Sequence, residues 1–369
     1  MIEFREARPE EIETWDDLTV KPPGGHVLQS RAWATYREQA GWHPRYLMGA
    51  DGSAVLALLK PWPRIKGWSA YLSRGPVPTT DPRTLAARLD GATRYLTDKG
   101  VDVVASDPQV LASSGYAAEL EKIGFKPIEE IQPSRHRLSV PLGPDLDEEQ
   151  ALARVSKQTR QRIRKAETEL RIVRWDKTVL RGAVGDGFTK PEGDLDWALA
   201  KFHVMLVETA RRRQFEILPR KRFNDWAYAS YSARQSLYLE AIDKRDAPVA
   251  GLLIYRHGER LSTFLSADFD STRDAHPGAF HLLRWRAIQQ AIREGCSEMD
   301  LDGADLAGAR SKPEPSDPAY GLYLHKKSFG AEWVELTGAH ERVARPMRYL
   351  AGRTIANLQR RLRPSGRAR

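Results

Sequence analysis

The sequence predicts an α/β (α+β) chain made of two tandem copies of one mixed unit, and three observations carry that expectation. The chain has 369 residues, more than one ordinary hydrophobic core serves. The order strand, strand, strand, helix, glycine, strand occurs twice along it. Gly100 and Gly295 hold corresponding places, about 195 residues apart, an offset far too long for a solenoid repeat.

Taken in order, residues 2–5 read as a strand and 9–17 as a helix. Ser30 then N-caps a helix carrying Trp33, Tyr36 and Arg37, which Gly41 ends. Strands follow over 45–49, 54–60 and 68–73, with Asp51 and Gly52 turning between the first two. Leu85, Leu89 and Leu96 at helical spacing give a helix over 82–99, closed by Gly100 before the strand VDVVAS. A helix over 113–124 and a strand over 131–140 complete the unit, and PLGPDLDEEQ reads as a linker. Beyond it come a basic helix over 146–170, a strand, helices over 195–213 and 221–233, and strands over 237–242, 248–255 and 261–266. A helix over 279–294 ends at Gly295, and a strand runs over 298–301. Antiparallel strands followed by a helix that crosses to another strand suit an acyltransferase-like (GNAT) unit, so two such units flanking a cleft are expected. The expected division is 1–145, 146–336, and a C-terminal piece over 337–369. That piece reads as a helix with Met347, Leu350, Ile355, Leu358 and Leu362 as a ragged apolar stripe among arginines, and a basic disordered end. Packing back on the first unit is the expected role; lying on an anionic membrane surface is the alternative.

Composition removes several classes of function. Hydrophobic residues make up 41% and charged residues 29%, as in a soluble globular protein. No run approaches the roughly 18 apolar residues that span a bilayer, and the N-terminus lacks the parts of a signal peptide, so a cytoplasmic location is expected. A single cysteine, Cys296, excludes a disulfide framework and reads as a small buried thiol. The nine histidines show no metal-ligand spacing. No GxSxG, Walker or GxGxxG sequence occurs, so hydrolase, ATPase and dinucleotide chemistry have nothing to stand on. The net charge of +9 points to an anionic partner.

The stretch GLYLHKKSFGAEWVE, 321–335, is where chemistry is expected. Prolines 313, 315 and 318 interrupt its approach, and it reads as a loop that could hold an ammonium at the end of a sheet. Two solvated lysines on a hairpin are the alternative. In ALARVSKQTRQRIRKAETEL, Leu152, Val155, Thr159, Ile163, Ala166 and Leu170 share one helix face, while Lys157, Arg160 and Arg164 share another that could meet phosphates. An ordinary solvated face explains the second set equally well. Asp300, Asp302 and Asp305 stand at the end of a strand, where Asp302 and Asp305 read as turn caps and a carboxylate could orient a lysine. STRDAHPGAFHLL could present amides to an anion, yet it has one glycine where a coenzyme A pyrophosphate loop has two or three.

Several stretches together resemble one family. They are LQSRAW with its following GW, SRGPV, SKQTRQRIRKAE, the run from GLLIY through LSADFDSTRD to HLLRWRAIQQAIREGCSEMDLDG, and LYLHKKSFGAEWVE. In order and over nearly the whole chain, they are similar to the Fem (FemABX) aminoacyltransferases, of the compact type without a helical arm. The resemblance implies two GNAT-like units, transfer of an amino acid from aminoacyl-tRNA to the stem-peptide amine of a peptidoglycan precursor, and no metal or organic cofactor. It implies that Lys326, matching the lysine of a pattern like FKxxFG, stabilises the oxyanion or the leaving ribose oxygen. His325 replaces the phenylalanine of that pattern, and a role for it as base is a further expectation. Carried over by position, Arg37 and Arg220, with Arg222 as a rival, hold the diphosphate of a UDP-linked or lipid-linked muramyl peptide, and Phe264 and Tyr323 line the substrate. Lys157, Arg160 and Arg164 would meet the tRNA. The competing readings are an acyl-CoA-dependent N-acyltransferase and a noncatalytic tRNA- or membrane-binding protein.

Overall fold

A computed structural model of the chain describes residues 2–178 and 187–362. By its internal contacts the described chain forms two units, one holding residues up to His136, 307–310 and 334–362, the other holding Arg137–Leu306 and Ser311–Trp333. Each carries one seven-stranded sheet.

The first unit opens with β1 (Phe4–Glu6), α1 (Pro9–Glu13), α2 (Trp15–Thr19) and α3 (Arg31–Gln39). Ser30 caps α3 by accepting from the Trp33 amide at 3.0 Å. The helix expected over 9–17 is divided at Thr14, whose φ of −100° and ψ of 13° leave the helical region. Next come β2 (His43–Gly49), β3 (Ala54–Pro61), β4 (Trp68–Leu72), α4 (Pro82–Asp98) and β5 (Val101–Ser106), then α5 (Tyr116–Lys122) and β6 (Lys126–Pro127). β1 to β4 pair antiparallel, and α4 crosses over so that β5 runs parallel to β4. The apolar run of β3 serves both faces of the sheet. Val55, Ala57 and Leu59 pack toward Leu85, Leu89 and Leu96 of α4, while Leu56 and Leu58 pack with Trp15 and Ala34.

The second unit begins at β7 (Arg137–Pro141). The strand expected over 131–140 as the end of the first unit is therefore corrected: it starts at Arg137 and pairs antiparallel with a strand of the second sheet. The elements α6 (Glu148–Arg154), α7 (Lys157–Glu169), β8 (Leu170–Trp175), α8 (Leu195–Arg213), α9 (Arg220–Ser232), β9 (Ser236–Asp243), β10 (Pro248–His257) and β11 (Arg260–Asp268) follow. Then come α10 (Asp270–Arg273), α11 (Ala279–Arg293), β12 (Glu298–Asp300), α12 (Tyr320–Lys327) and β13 (Glu332–Val334). The sheet order is β13-β7-β12-β11-β10-β9-β8, with β11 and β12 parallel across α11. The single basic helix expected over 146–170 is two helices. Val155 is extended (ψ 138°), and Ser156 starts a new helix by accepting from the Thr159 amide. One face of the sheet carries Leu239, Leu252 and Ile254 against α7 and α11; the other carries Tyr238 and Leu253 against Phe202 of α8. Cys296, expected buried, is half-buried, and burial pushes its thiol up to about 12, so it is inert.

The chain then returns to the first unit as β14 (His340–Val343) and α13 (Pro346–Leu362). β14, which the sequence reading did not anticipate, pairs antiparallel with both β5 and β6. Arg345 donates to the carbonyls of Val101 and Thr97, and Gly352 lies where a Cβ would stand 2.3 Å from the Trp62 ring. Met347, Leu350 and Leu358 of α13 are exposed. The basic end expected to be disordered, 363–369, lies outside the described residues. Among the described residues no helix is long and apolar enough to cross a membrane.

Candidate active site

The stretch expected as a loop is a helix. All three prolines precede α12 and none lies within it, so its hydrogen-bond ladder is intact. Its facing decides which lysine is special. Tyr323 and Lys326, three apart, point into the protein, whereas Lys327 is exposed. Lys326 is 4% exposed and its Nζ donates to the carbonyl oxygen of Gly303 at 2.7 Å. Burial lowers its pKa to about 8, with Arg284 acting in the same direction and the charges of Asp302 and Asp300 opposing. The lysine is thus an ammonium near neutrality that gives up its proton more readily than a solvated lysine.

The carbonyl that holds Lys326 is itself held. The segment after β12 follows β7: Leu301 donates to Leu138 and Leu138 to Asp302. Asp300 Oδ1 accepts from the Asp302 amide at 2.7 Å, so Asp300, rather than Asp302 as expected, caps this turn. Asp302 has a φ of 65°. Below this turn lies a buried charge cluster. Arg137 meets Glu298 at 2.6 Å and Asp300 at 3.4 Å, and Arg260 meets Glu298 at 3.3 Å.

The end of α12 is stitched to the start of α7. Ser156 donates its amide to the Ser328 carbonyl, and the Thr159 hydroxyl donates to Ser328 Oγ, which in turn donates to the carbonyl of His325. The carbonyl at the position where the Fem pattern has phenylalanine is therefore already engaged. The His325 ring stands edge-on to His281, with centroids 4.5 Å apart, and near Phe329. Arg284 donates to His325 Nε2 at 3.0 Å, and Arg162 to His281 Nε2 at 3.3 Å; a guanidinium only donates, so both ring nitrogens are acceptors. Burial, then the neighbouring arginines, lowers His281 to about 4 and holds His325 far below its ordinary value. The donation from Arg284 to Nε2 and the lowered basicity of the buried ring both work against the expected role of His325 as a base.

Next to these groups is a cavity of about 740 Å³, lined by Thr209, Arg212 and Arg213 of α8, Ser266 and Asp268 of β11, Phe280, His281 and Arg284 of α11, and Gly321, Leu322 and His325 of α12. Arg212 and Arg273 both bind the Asp268 carboxylate. The start of α11 is closed on one side by α7. A Cβ on Gly278 would lie 2.8 Å from the Arg162 carbonyl oxygen and 2.9 Å from Ala166. The glycine noted as a single element of a pyrophosphate loop is thus required by helix packing. Replacing it by valine is expected to cost about 1–3 kcal/mol of stability, read as a lowered thermal midpoint.

The other expected residues lie elsewhere. Arg37, in the first unit, lies 4.7 Å over the Trp42 ring and 5.2 Å over Trp33. Arg220 is exposed at the first turn of α9. Phe264 stacks on Tyr255 with centroids 4.4 Å apart, two residues before Ser266 of the cavity wall. Tyr323 is a core residue beside Tyr320 and Trp333. Lys157 and Arg164 are exposed on α7, but Arg160 donates to the carbonyls of Leu152, Ala153 and Val155 and so caps α6. Sequence reasoning missed Arg284, Arg162, His281 and Gly303. The available signal was a histidine and an arginine three residues apart in a helix otherwise written for a core, HLLRWRAI. Among the described residues no group of three or more His, Cys, Asp or Glu side chains could hold a metal ion.

A parallel β11–β12 pair crossed by α11 in the second unit, and a parallel β4–β5 pair crossed by α4 in the first, define a tandem GNAT-like fold. Residues 153–309 match the family described as Acetyltransferase (GNAT) domain. FemX has this fold: its crystal structure aligns over 95% of this chain and 100% of its own, with a TM-score of 0.75 at 18% identity. A conserved protein of unknown function from Bacteroides thetaiotaomicron VPI-5482 aligns over 92% and 98%, with a TM-score of 0.54 at 12% identity. L-PGS from Bacillus licheniformis aligns over 96% and 97%, with a TM-score of 0.51 at 9% identity. No curated protein sequence matches the chain. At these identities the likeness is one of fold, and it is FemX-like.

Proposed function

We propose that the chain is a Fem-type aminoacyltransferase that moves an amino acid from aminoacyl-tRNA to the stem-peptide amine of a UDP-linked or lipid-linked muramyl peptide. The observation that carries this reading is Lys326, a buried ammonium fixed on the Gly303 carbonyl at the end of the second sheet, where the family pattern has its lysine. When the amine attacks the ester carbonyl, negative charge grows on the carbonyl oxygen and then on the departing ribose oxygen. A buried ammonium with two protons not engaged by Gly303 stabilises that charge without reorganising solvent. The neutral, arginine-bound histidines are not the proton acceptors, and the incoming amine loses its proton to solvent or to the leaving oxygen. Arg37 in the first unit and, separately, Arg220 in the second are proposed as phosphate-binding arginines, Phe264 to shape the substrate wall, and Lys157 and Arg164 to meet the tRNA backbone; the core packing of Tyr323 and the carbonyl bonds of Arg160 give these two structural tasks instead.

An acyl-CoA donor is the second reading, favoured by the match to an acetyltransferase domain. Gly278, packed against α7, counts against it. Incubation with charged tRNA and each acceptor, beside a parallel incubation with acyl-CoA, tests the two. Transfer from tRNA alone is expected; turnover with acyl-CoA and none with any charged tRNA rejects the proposal. The pH profile is a second check. Because the ammonium form acts and its pKa is about 8, transfer should fall as pH rises through about 8. Lys326→Arg, which keeps its charge at all accessible pH, should lose that alkaline limb.

A further inference from the structure

The geometry points to an anion subsite in the second unit, in which Arg284 and Arg213 receive a phosphate group in the cavity beside α12. This deepens the proposed function and rests on it for the source of the phosphate, taken to be the terminal phosphodiester of the donor RNA.

Arg284 is only 4% exposed, and among the described residues no carboxylate forms a salt bridge with it. Its contacts are the His325 ring nitrogen and the Phe280 face, 5.4 Å from its centroid, both neutral. Three other arginines of comparable burial are paired with acids: Arg137 and Arg260 with Glu298, Arg310 with Glu129. The charge of Asp302 reaches Arg284 but forms no salt bridge with it, and burial still dominates; a buried guanidinium so weakly compensated is costly, and a fold that keeps one has a counter-charge from outside to meet. Arg213 stands exposed at the cavity rim, among the described residues it forms no salt bridge, and its field reaches Arg284. The cavity's acid, Asp268, is already taken by Arg212 and Arg273, so it does not cancel the pair.

The rest of the lining fits the same ligand. His281 and His325 are held neutral, so they neither repel a phosphate nor compete with it for the arginines' charge. Two guanidinium forks supply directed donors for phosphate oxygens. Phe280 adds a flat apolar wall next to the guanidinium, as a nucleotide beside its phosphate requires and an inorganic anion does not. Because Lys326 feels the charge of Arg284, a bound phosphate that neutralises the arginine also favours the ammonium of the lysine.

The test measures binding of two probes to the full chain across a salt series: a short oligoribonucleotide ending in 3′-CCA, and coenzyme A. Wild type is compared with Arg284→Gln, which keeps a donor for His325, and Arg213→Gln at the rim, where folding is not at risk. The oligonucleotide should bind wild type, and each variant should lose about tenfold in affinity and close to one unit from the slope of log K against log salt. Arg284→Gln should retain or raise the thermal midpoint, since it removes a buried charge that no salt bridge offsets among the described residues. If coenzyme A binds through both arginines and the oligonucleotide does not, the subsite stands and the RNA donor reading falls. Wild-type affinity and salt slope for both probes in both variants overturns the subsite. So does a lowered midpoint in Arg284→Gln with unchanged binding, or failure of both probes to bind wild type.

Discussion

Replacing Lys326 by methionine lowers the transfer rate by about 10²–10³-fold, the loss that follows removal of one preorganised donor to a developing oxyanion, and leaves the protein at least as stable as before. The second half of this result separates chemistry from structure. A lysine retained for stability would be missed when removed. Lys326 is instead a buried cation whose pKa is depressed to about 8. Between that value and the ordinary lysine value, the unfolded chain binds a proton that the folded chain has released. Stability attributable to this group therefore rises with pH across that window and reaches its full value above the unfolded pKa; below about 8 the buried charge is a cost. Methionine fills similar volume without the charge, so the variant should gain stability at neutral pH and lose the rise above pH 8. Urea unfolding at pH 7 and at pH 10 reads both effects, and a variant markedly less stable at pH 7 contradicts the account.

Arg137→Ala has the largest expected effect on stability, a loss of about 3–5 kcal/mol. Arg137 joins β7 to β12 through Glu298 and Asp300, and its removal leaves Arg260 as the cation of the cluster bonded to Glu298. Ser139 and Ser262 donate to these carboxylates but bring no charge. Against a typical stability of about 5–15 kcal/mol, such a loss is readily seen as a shifted urea midpoint. It also loosens the turn that supports Gly303, so transfer should weaken in the folded fraction. Retention of both stability and activity would show that the cluster does not hold the site.

The tandem architecture was legible because its signals are local and repeated. Apolar runs such as AVLALL, leucines at helical spacing and a glycine closing each crossover helix survive without tertiary context. β14 was not, since HERV is short, polar and paired on both sides only after a long return of the chain. The break at Val155 was hidden because both sides continue one apolar stripe; what ends the first helix is Ser156 capping the second and Arg160 reaching back to the carbonyls of α6. Prolines before 321 suggested a loop, although prolines that precede a helix leave its interior untouched. Lys326 could be singled out only through a resemblance, because composition does not tell a buried lysine from its exposed neighbour. Arg284 and His281 escaped because their meaning lies in what they lack: an acid partner for one, a free lone pair for the other. Neither lack can be read from a sequence.

The measurement that bears most directly on the central claim is the mass of the acceptor after incubation with the enzyme, a mixture of charged tRNAs, and muramyl pentapeptide in UDP-linked and lipid-linked forms. The account predicts an increase by one or more amino-acid residues, present with wild type and absent with Lys326→Met. An unchanged acceptor with every charged tRNA, together with an acyl increment when acyl-CoA is supplied, would contradict it.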